Sequence, residues 1–492
     1  MLKALIIGAD AVCPDYIFEH TERYPNLAKL IRQGASAAYS AYVQKGYSDS
    51  YLSEMNWSSI YTGLAPWEHQ IAVKDDTGHR RTPCMKQFKQ LSPFWEVLNK
   101  NGLSVGMWAA DCCLEPEEIN GYVVSAEYEM LDSPQIERTG RRILKVCGKD
   151  AELLSYIEGN VPPRLYPQTL EQQGYTFREL RQSTERAWRA VEAYHFKESL
   201  QNFEEELDFF YHAMCDIQKV RPVDVLYFYT PTTDLIGHCA MYCDDCDVLV
   251  HAYQLLDQYV GRCMEMLRPE NTVVLSDHGM INFKELVNCS DEKIRREAFG
   301  ARDEVIWLPN GYIAFEARNG ALLFTAHGLK GTFIAAGKDI RTVRLDEMRT
   351  LDIYPTLLEM LKIKVPQGRE GYVQDIFTRP LINEEKRIYT KRIGYKTAAV
   401  LQCCSPGMTD IVLNELYVRN RFVRFVIVGE EKYREIFLHN PRAYGFVAYE
   451  EFDYWEFDQI FCGIYSEITG LSRHILVFDK GAVNDLHSNL CL

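Results

Sequence analysis

The chain opens on an apolar run, Leu2 to Ile7, broken only by Lys3 and closed by Gly8-Ala9-Asp10. Continuous Ile/Leu-rich runs of this length, ended by a loop, read as strands buried on both faces. The pattern recurs at Val223 to Tyr229 ahead of Thr230-Pro231-Thr232-Thr233-Asp234, at Asn271 to Leu275 ahead of Ser276-Asp277-His278-Gly279, and at Thr332 to Ala336 ahead of Gly337. Helical patterns lie between them, among them Pro25 to Gly34 and Asp247 to Leu267. Strands alternating with helices predict an α/β fold with a largely parallel central sheet and helices on both faces. Such sheets bind ligands beyond the carboxyl ends of their strands, which is where the Asp and His residues fall.

Two stretches depart from that rhythm. Residues 131–220 are rich in Glu, Gln and Arg and read as a mostly helical insertion, especially Thr176 to Gln218, which could cap a site or stand as a solvated pair. After a charged segment, Glu384 to Lys396, a βα rhythm resumes: strands at Thr397 to Gln402, Phe422 to Val428, Tyr444 to Ala448 and His474 to Phe478, with helices at Glu430 to Phe437 and Phe452 to Thr469. The expected division is therefore a catalytic domain over 1–380, carrying the 131–220 insertion, and a small α/β domain of unknown role over 381–492.

Composition narrows the function classes. The 492 residues include 54 Lys or Arg and 69 Asp or Glu, a formal net charge of −15, without the basic excess of a nucleic-acid coat or an anionic-membrane binder. No apolar run reaches the ~20 residues that span a bilayer. The 15 cysteines are an odd number, and Cys112-Cys113, Cys403-Cys404 and Cys243-x-x-Cys246 lack the second half of a structural zinc site. Reduced thiols in a cytoplasmic protein are expected, with no membrane and no nucleic-acid polymer as partner.

The chemistry gathers in an ordered set: Asp10, Asp234-x-x-x-His238, Asp277-His278 and His327, most of them just past an expected strand. Carboxylate and imidazole together suit zinc, and less often manganese or iron. Each piece alone is more often a surface pair than a ligand; four in order reverse those odds.

The order of motifs resembles the type I phosphodiesterase/nucleotide pyrophosphatase branch of the alkaline phosphatase superfamily. The matching pieces are Ala4 to Asp10, Tyr24 to Leu30 with Gly34, Asn56 to Gly63 with Pro66 and His69, Thr233 to His238, Val274 to Gly279, Thr325 to Gly331 with Phe333 to Gly337, and Leu351 to Leu357. The resemblance implies an alkaline-phosphatase-like fold and two divalent ions, most readily Zn2+ with Mn2+ as substitute. Asp234, His238 and His327 would hold one ion; Asp10, Asp277, His278 and the nucleophile would hold the other. The nucleophile falls nine positions before Thr62, at Ser53, where a helix cap and the nearby Ser50 are the competing readings. Asn56 is a candidate donor to a phosphoryl oxygen, or a structural residue of the first helical turn. The branch usually carries an Asn 21 positions after the nucleophile to contact the phosphoryl oxygen, but here Lys74 stands there, a candidate for the same stabilisation as a point charge or else a solvated loop residue, and Gln70 replaces the usual Gly after His69. Trp57 and Tyr61, at helical spacing, fit core better than a base-stacking surface.

The expected activity is thus two-metal hydrolysis of a small phosphorylated molecule, a nucleotide among the candidates, through a covalent phosphoryl-serine. A phosphomonoesterase or phosphonate hydrolase with the same ions, and a catalytically silent binding protein, are the alternatives.

Overall fold

The computed structural model describes residues 1–41, 52–69, 71, 84–109, 116–129, 139–147, 153, 164–165, 185–239, 242–243, 246–282, 305–307, 313–316, 322–323, 325–328, 330–346, 348–383 and 396–401. Beyond these it describes 407, 409–410, 413, 423–438, 440, 443, 445–451, 459–465 and 473–479. By backbone contacts the chain divides into two compact units, Met1–Ala41 with Gly46–Gly63 and Ile71–Glu385, and Tyr42–Lys45 with Leu64–Gln70 and Lys386–Leu492.

The first unit is built on a ten-stranded sheet. Its strands are β1 (Ala4–Ala9), β2 (Ala35–Ser40), β3 (Val105–Trp108), β4 (Gly121–Glu129), β5 (Thr139–Cys147), β6 (Arg164–Leu165), β7 (Val225–Thr230), β10 (Asn271–Leu275), β16 (Lys330–Gly337) and β17 (Val343–Leu345). They lie in the order β17-β2-β16-β10-β1-β7-β3-β4-β5-β6. The small elements between are β8 (Tyr242–Cys243) with β9 (Cys246–Asp247), β11 (Gly279–Asn282) with β15 (Thr325–Gly328), and β12 (Val305–Trp307) with β13 (Ile313–Glu316) and β14 (Leu322–Leu323). At the centre β1 runs parallel to both β10 and β7, and β7 runs parallel to β3.

The strand period of two sorts side chains onto opposite faces. Leu5, Ile7, Leu226, Phe228 and Val274 enter one apolar cluster, together with the helices Pro25–Gln33, Glu185–Val220 and Val248–Leu267. Ala4, Ile6, Val225, Tyr227, Tyr229 and Val273 enter another, with the helices Leu52–Thr62, Phe94–Lys100 and Thr350–Met360. Helices therefore cover both faces of a largely parallel sheet. Among the described residues no helix is long and apolar enough to cross a membrane.

Three expectations are corrected. The strand containing Thr332 to Ala336 runs antiparallel to both β10 and β2, because an apolar run marks burial and carries no direction. The stretch 131–220 holds strands β5 and β6 besides its 36-residue helix Glu185–Val220. On that helix Phe203, Leu207, Phe210, Met214 and Ile217, at spacings of three and four, are buried in the sheet's core, so this part of the insertion is neither a free cap nor a solvated pair.

The third correction concerns the second unit, whose sheet has the order β20-β19-β18-β21-β22. Its strands are β18 (Lys396–Leu401), β19 (Val423–Gly429), β20 (Gly445–Ala448), β21 (Gln459–Tyr465) and β22 (Arg473–Asp479). The expected helix over Phe452 to Thr469 is instead strand β21 within its described residues, parallel to β18 and antiparallel to β22. The run Ile460-Phe461-Cys462-Gly463-Ile464 is short, apolar and β-prone, a pattern that periodicity alone assigns to either state. Ala398, Val400, Phe425, Ile427, Phe437 and Phe446 form this unit's core.

One backbone position offers a direct check on the sheet. Gly121 starts β4 at φ +133°, and a Cβ there would overlap the Val105 carbonyl oxygen on the adjacent strand. Gly121→Ala should cost at least about 2 kcal/mol, read as a lower denaturation midpoint at unchanged m-value.

Candidate active site

The candidate residues converge at one end of the sheet because the strands that deliver them are neighbours. Asp10 directly follows β1, Asp277 and His278 follow β10, and Asp234 sits in the helix Thr232–Cys239 after β7. His327 comes from β15, which pairs antiparallel with β11 directly after His278. Ser53 is the second residue of the helix Leu52–Thr62, so it lies inside the helix and is not its cap.

Two clusters of possible ligand atoms result, Asp10-Asp277-His278 and Asp234-His278-His327, the atoms of each within 4.8 Å of one another. His278 Nε2 lies 3.3 Å from both Asp10 Oδ1 and Asp277 Oδ2, and His327 Nε2 lies 3.4 Å from Asp234 Oδ1. The two imidazole rings are 4.2 Å apart between centroids. His278 Nδ1 is 3.0 Å from the Gly279 carbonyl oxygen, which can only accept, so the hydrogen bond orients the ring with Nε2 towards the carboxylates. Ser53 Oγ stands 3.0 Å from that same Nε2 and 3.4 Å from Asp10 Oδ1.

The electrostatics are those of concentrated negative charge in a dry place. Asp10, Asp277 and His278 are all buried. Burial first, and the charge of Asp234 second, raise the Asp10 carboxyl above its ordinary value. Burial and then the charge of Asp10 push Asp277 well above its own. Among the described residues neither Asp10 nor Asp277 is ion-paired with Lys or Arg. Buried carboxylates that lack a basic partner and converge with imidazole nitrogens are the donor set of a divalent cation site.

Sequence reasoning missed the groups that hold Asp10. Trp57 Nε1 donates to Asp10 Oδ2 at 3.2 Å, Tyr229 Oη donates to the same oxygen at 2.7 Å, and Thr233 Oγ1 donates to the Asp10 carbonyl at 2.6 Å. Their signal was a polar tip on a residue one turn after Ser53, or at the end of a strand next to a ligand. Ala11 was missed too. Its φ of +56° is uncommon for a residue with a side chain, and it is held by Tyr253 Oη donating to its carbonyl at 2.8 Å and by its N–H donating to Asp277 Oδ1 at 3.3 Å.

Not every candidate is drawn in. Asn56 is fully buried, and its side-chain oxygen accepts from Thr350 Oγ1 at 3.2 Å, which suits the structural reading of that residue. Trp57 and Tyr61 are core, stacked on each other and edge-on to Tyr229 and Trp95 respectively, so they offer no surface for a base. His238 lies one helical turn after Asp234, on the same helix face, but its side chain lies outside the described residues. Lys74 and Ser50 also lie outside them.

A search of curated proteins finds no match. Similar solved structures include an inactive variant of murine ectonucleotide pyrophosphatase/phosphodiesterase 5 in complex with AMP, at 14% identity and a TM-score of 0.43, covering 77% of this chain and 100% of that one. A multiply substituted variant of alkaline phosphatase PafA is similar at 13% identity and a TM-score of 0.46, covering 76% of this chain and 98% of that one. The family model "Type I phosphodiesterase / nucleotide pyrophosphatase" matches residues 4–326, which takes in every candidate ligand but His327, one residue further on. That match spans well over half of the sequence, and the chain belongs to the type I phosphodiesterase/nucleotide pyrophosphatase family.

Proposed function

We propose that the chain hydrolyses diesters or pyrophosphates of a small phosphorylated molecule at a pair of divalent ions, with Ser53 as nucleophile. The observation that carries this reading is the position of Ser53 Oγ, 3.0 Å from His278 Nε2 and 3.4 Å from Asp10 Oδ1, at the edge of two clusters of ligand atoms. Asp10, Asp277, His278 and Ser53 would hold one ion, and Asp234, His238 and His327 the other. Mixed carboxylate and imidazole donors favour zinc, with manganese as substitute. Bound there, the ions would supply positive charge for the phosphoryl oxygens and for the attacking and departing oxygens.

Ser53 Oγ gives up its proton to solvent and forms a bond to phosphorus while the bond from phosphorus to the leaving oxygen breaks, and the electron pair departs with that oxygen, which takes up a proton from solvent. The product of this half-reaction is a serine esterified through phosphorus. Water then adds to the same phosphorus and releases a proton, the bond from phosphorus to Oγ breaks, and Oγ takes up a proton to restore the hydroxyl. Asp10 and His278 fix the hydroxyl for in-line approach, the positioning on which phosphoryl transfer mainly depends. Lys74, standing where the branch carries an Asn, would supply the same stabilisation to a nonbridging oxygen as a point charge, with a solvated loop residue as the alternative reading.

A nucleotide is the substrate class that the family's own description suggests. The test is the zinc-loaded chain with bis(4-nitrophenyl) phosphate and with 4-nitrophenyl phosphate. The diester should be the better substrate by at least about tenfold in kcat/KM, a difference of ~1.4 kcal/mol between the two transition states. A monoester preference would reassign the enzyme as a phosphomonoesterase.

A further inference from the structure

We infer that Trp57 and Tyr229 form a clamp on Asp10 that dedicates one of its oxygens to structure and the other to the metal, and that ties the nucleophile's helix to the metal site. This inference rests on the proposed function and extends it to two residues that touch neither substrate nor ion.

The two oxygens of Asp10 are used differently. Oδ2 accepts from Tyr229 Oη at 2.7 Å and from Trp57 Nε1 at 3.2 Å, while Oδ1 faces His278 Nε2 at 3.3 Å and Ser53 Oγ at 3.4 Å. With Oδ2 held by two donors, Asp10 has one oxygen left to ligate through. The donors come from different elements. Tyr229 belongs to β7, hydrogen-bonded beside the strand that ends at Asp10, and Trp57 lies four residues after Ser53 in the same helix. The indole N–H therefore sets the rotation of that helix, and with it the place of the Ser53 hydroxyl.

The clamp is built into the core. Trp57 is fully buried, lies edge-on to the Tyr229 ring at 5.1 Å, and covers Gly8, where a Cβ would come within 2.7 Å of the indole. Glycine two residues before Asp10 thus makes room for the side chain that holds Asp10. Hydrogen-bond partners of this kind fix a ligand's orientation and basicity.

The full chain carrying Tyr229→Phe or Trp57→Phe tests the inference, since each change removes a donor and keeps an aromatic ring. Zinc affinity is read by chelator competition, kcat and KM with bis(4-nitrophenyl) phosphate, and folding by melting temperature. Tyr229→Phe should weaken one of the two zinc ions by about tenfold or more. Trp57→Phe should lower kcat by about tenfold or more at a KM within about twofold of wild type, the pattern of a lost transition-state interaction. A merely structural role would lower the melting temperature and leave both readouts in place. If Trp57→Phe does not fold, Tyr229→Phe alone decides.

Wild-type zinc affinity and kcat in the folded variants, beside an active two-zinc parent, would overturn the clamp and leave the proposed function standing. A parent that binds no zinc and hydrolyses no diester would overturn both.

Discussion

Exchanging Asp277 for Asn is expected to lower diester turnover by about 10³-fold or more and to raise the melting temperature of the metal-free protein. The two effects have one source. Asp277 is fully buried, and burial together with the charge of Asp10 pushes its carboxyl well above the ordinary value. A carboxyl whose folded value is raised favours the folded state only while protonated. Its penalty on folding therefore grows as pH rises above the unfolded value near 4 and is largest above the folded one. Asn keeps the shape and removes that charge, so the metal-free variant should gain on the order of 1 kcal/mol at pH 7, a gain that shrinks toward pH 4. The same charge is what the proposed ion would bind, and its loss would remove several kcal/mol of transition-state stabilisation. Paired thermal melts and initial rates check both halves. A variant that is less stable without metal, or as active as its parent, would contradict the assignment of Asp277.

Removing the Ser53 hydroxyl is expected to have the larger effect on rate, and to cost one of the two ions a single one of its four proposed ligands. Ser53→Ala should lower turnover by about 10⁴-fold or more, as loss of a covalent nucleophile does, while zinc stoichiometry stays at that of the parent. Ser53→Thr keeps a hydroxyl at the same place, and its extra methyl in a half-buried position should leave activity within about tenfold of the parent. Rates and zinc content measured on the same samples, at saturating zinc, separate loss of the nucleophile from loss of the ion that Asp10, Asp277 and His278 still hold. Full activity in Ser53→Ala would remove Ser53 from the mechanism and direct attention to Ser50.

The sequence was most informative where chemistry and burial coincide. The run from Ala4 to Ala9 had to be a buried strand, and an Asp just past it, like the Asp-His pair after Asn271 to Leu275, falls at the end of the sheet where ligands bind. Strand direction was not encoded, since the antiparallel β16 is as apolar as its parallel neighbours. Nor was the state of β21, whose short apolar run satisfies either period. The supports of the site were hidden for another reason. Trp57 and Tyr229 read as core residues, which they are, and only the folded geometry brings their polar atoms onto one oxygen of Asp10, contributed from 47 and 219 positions away. Ala11 shows the same limit, for nothing in Asp10-Ala11-Val12 announces a φ of +56°.

The central claim is that hydrolysis depends on two ions held by these carboxylates and imidazoles. It is tested most directly by stripping the chain with a chelator and titrating zinc back while counting ions per chain and following bis(4-nitrophenyl) phosphate hydrolysis. Under the proposal, turnover is absent in the stripped protein and reaches its maximum at two ions per chain. Full turnover in the metal-free protein, or a maximum at a single ion, would contradict it.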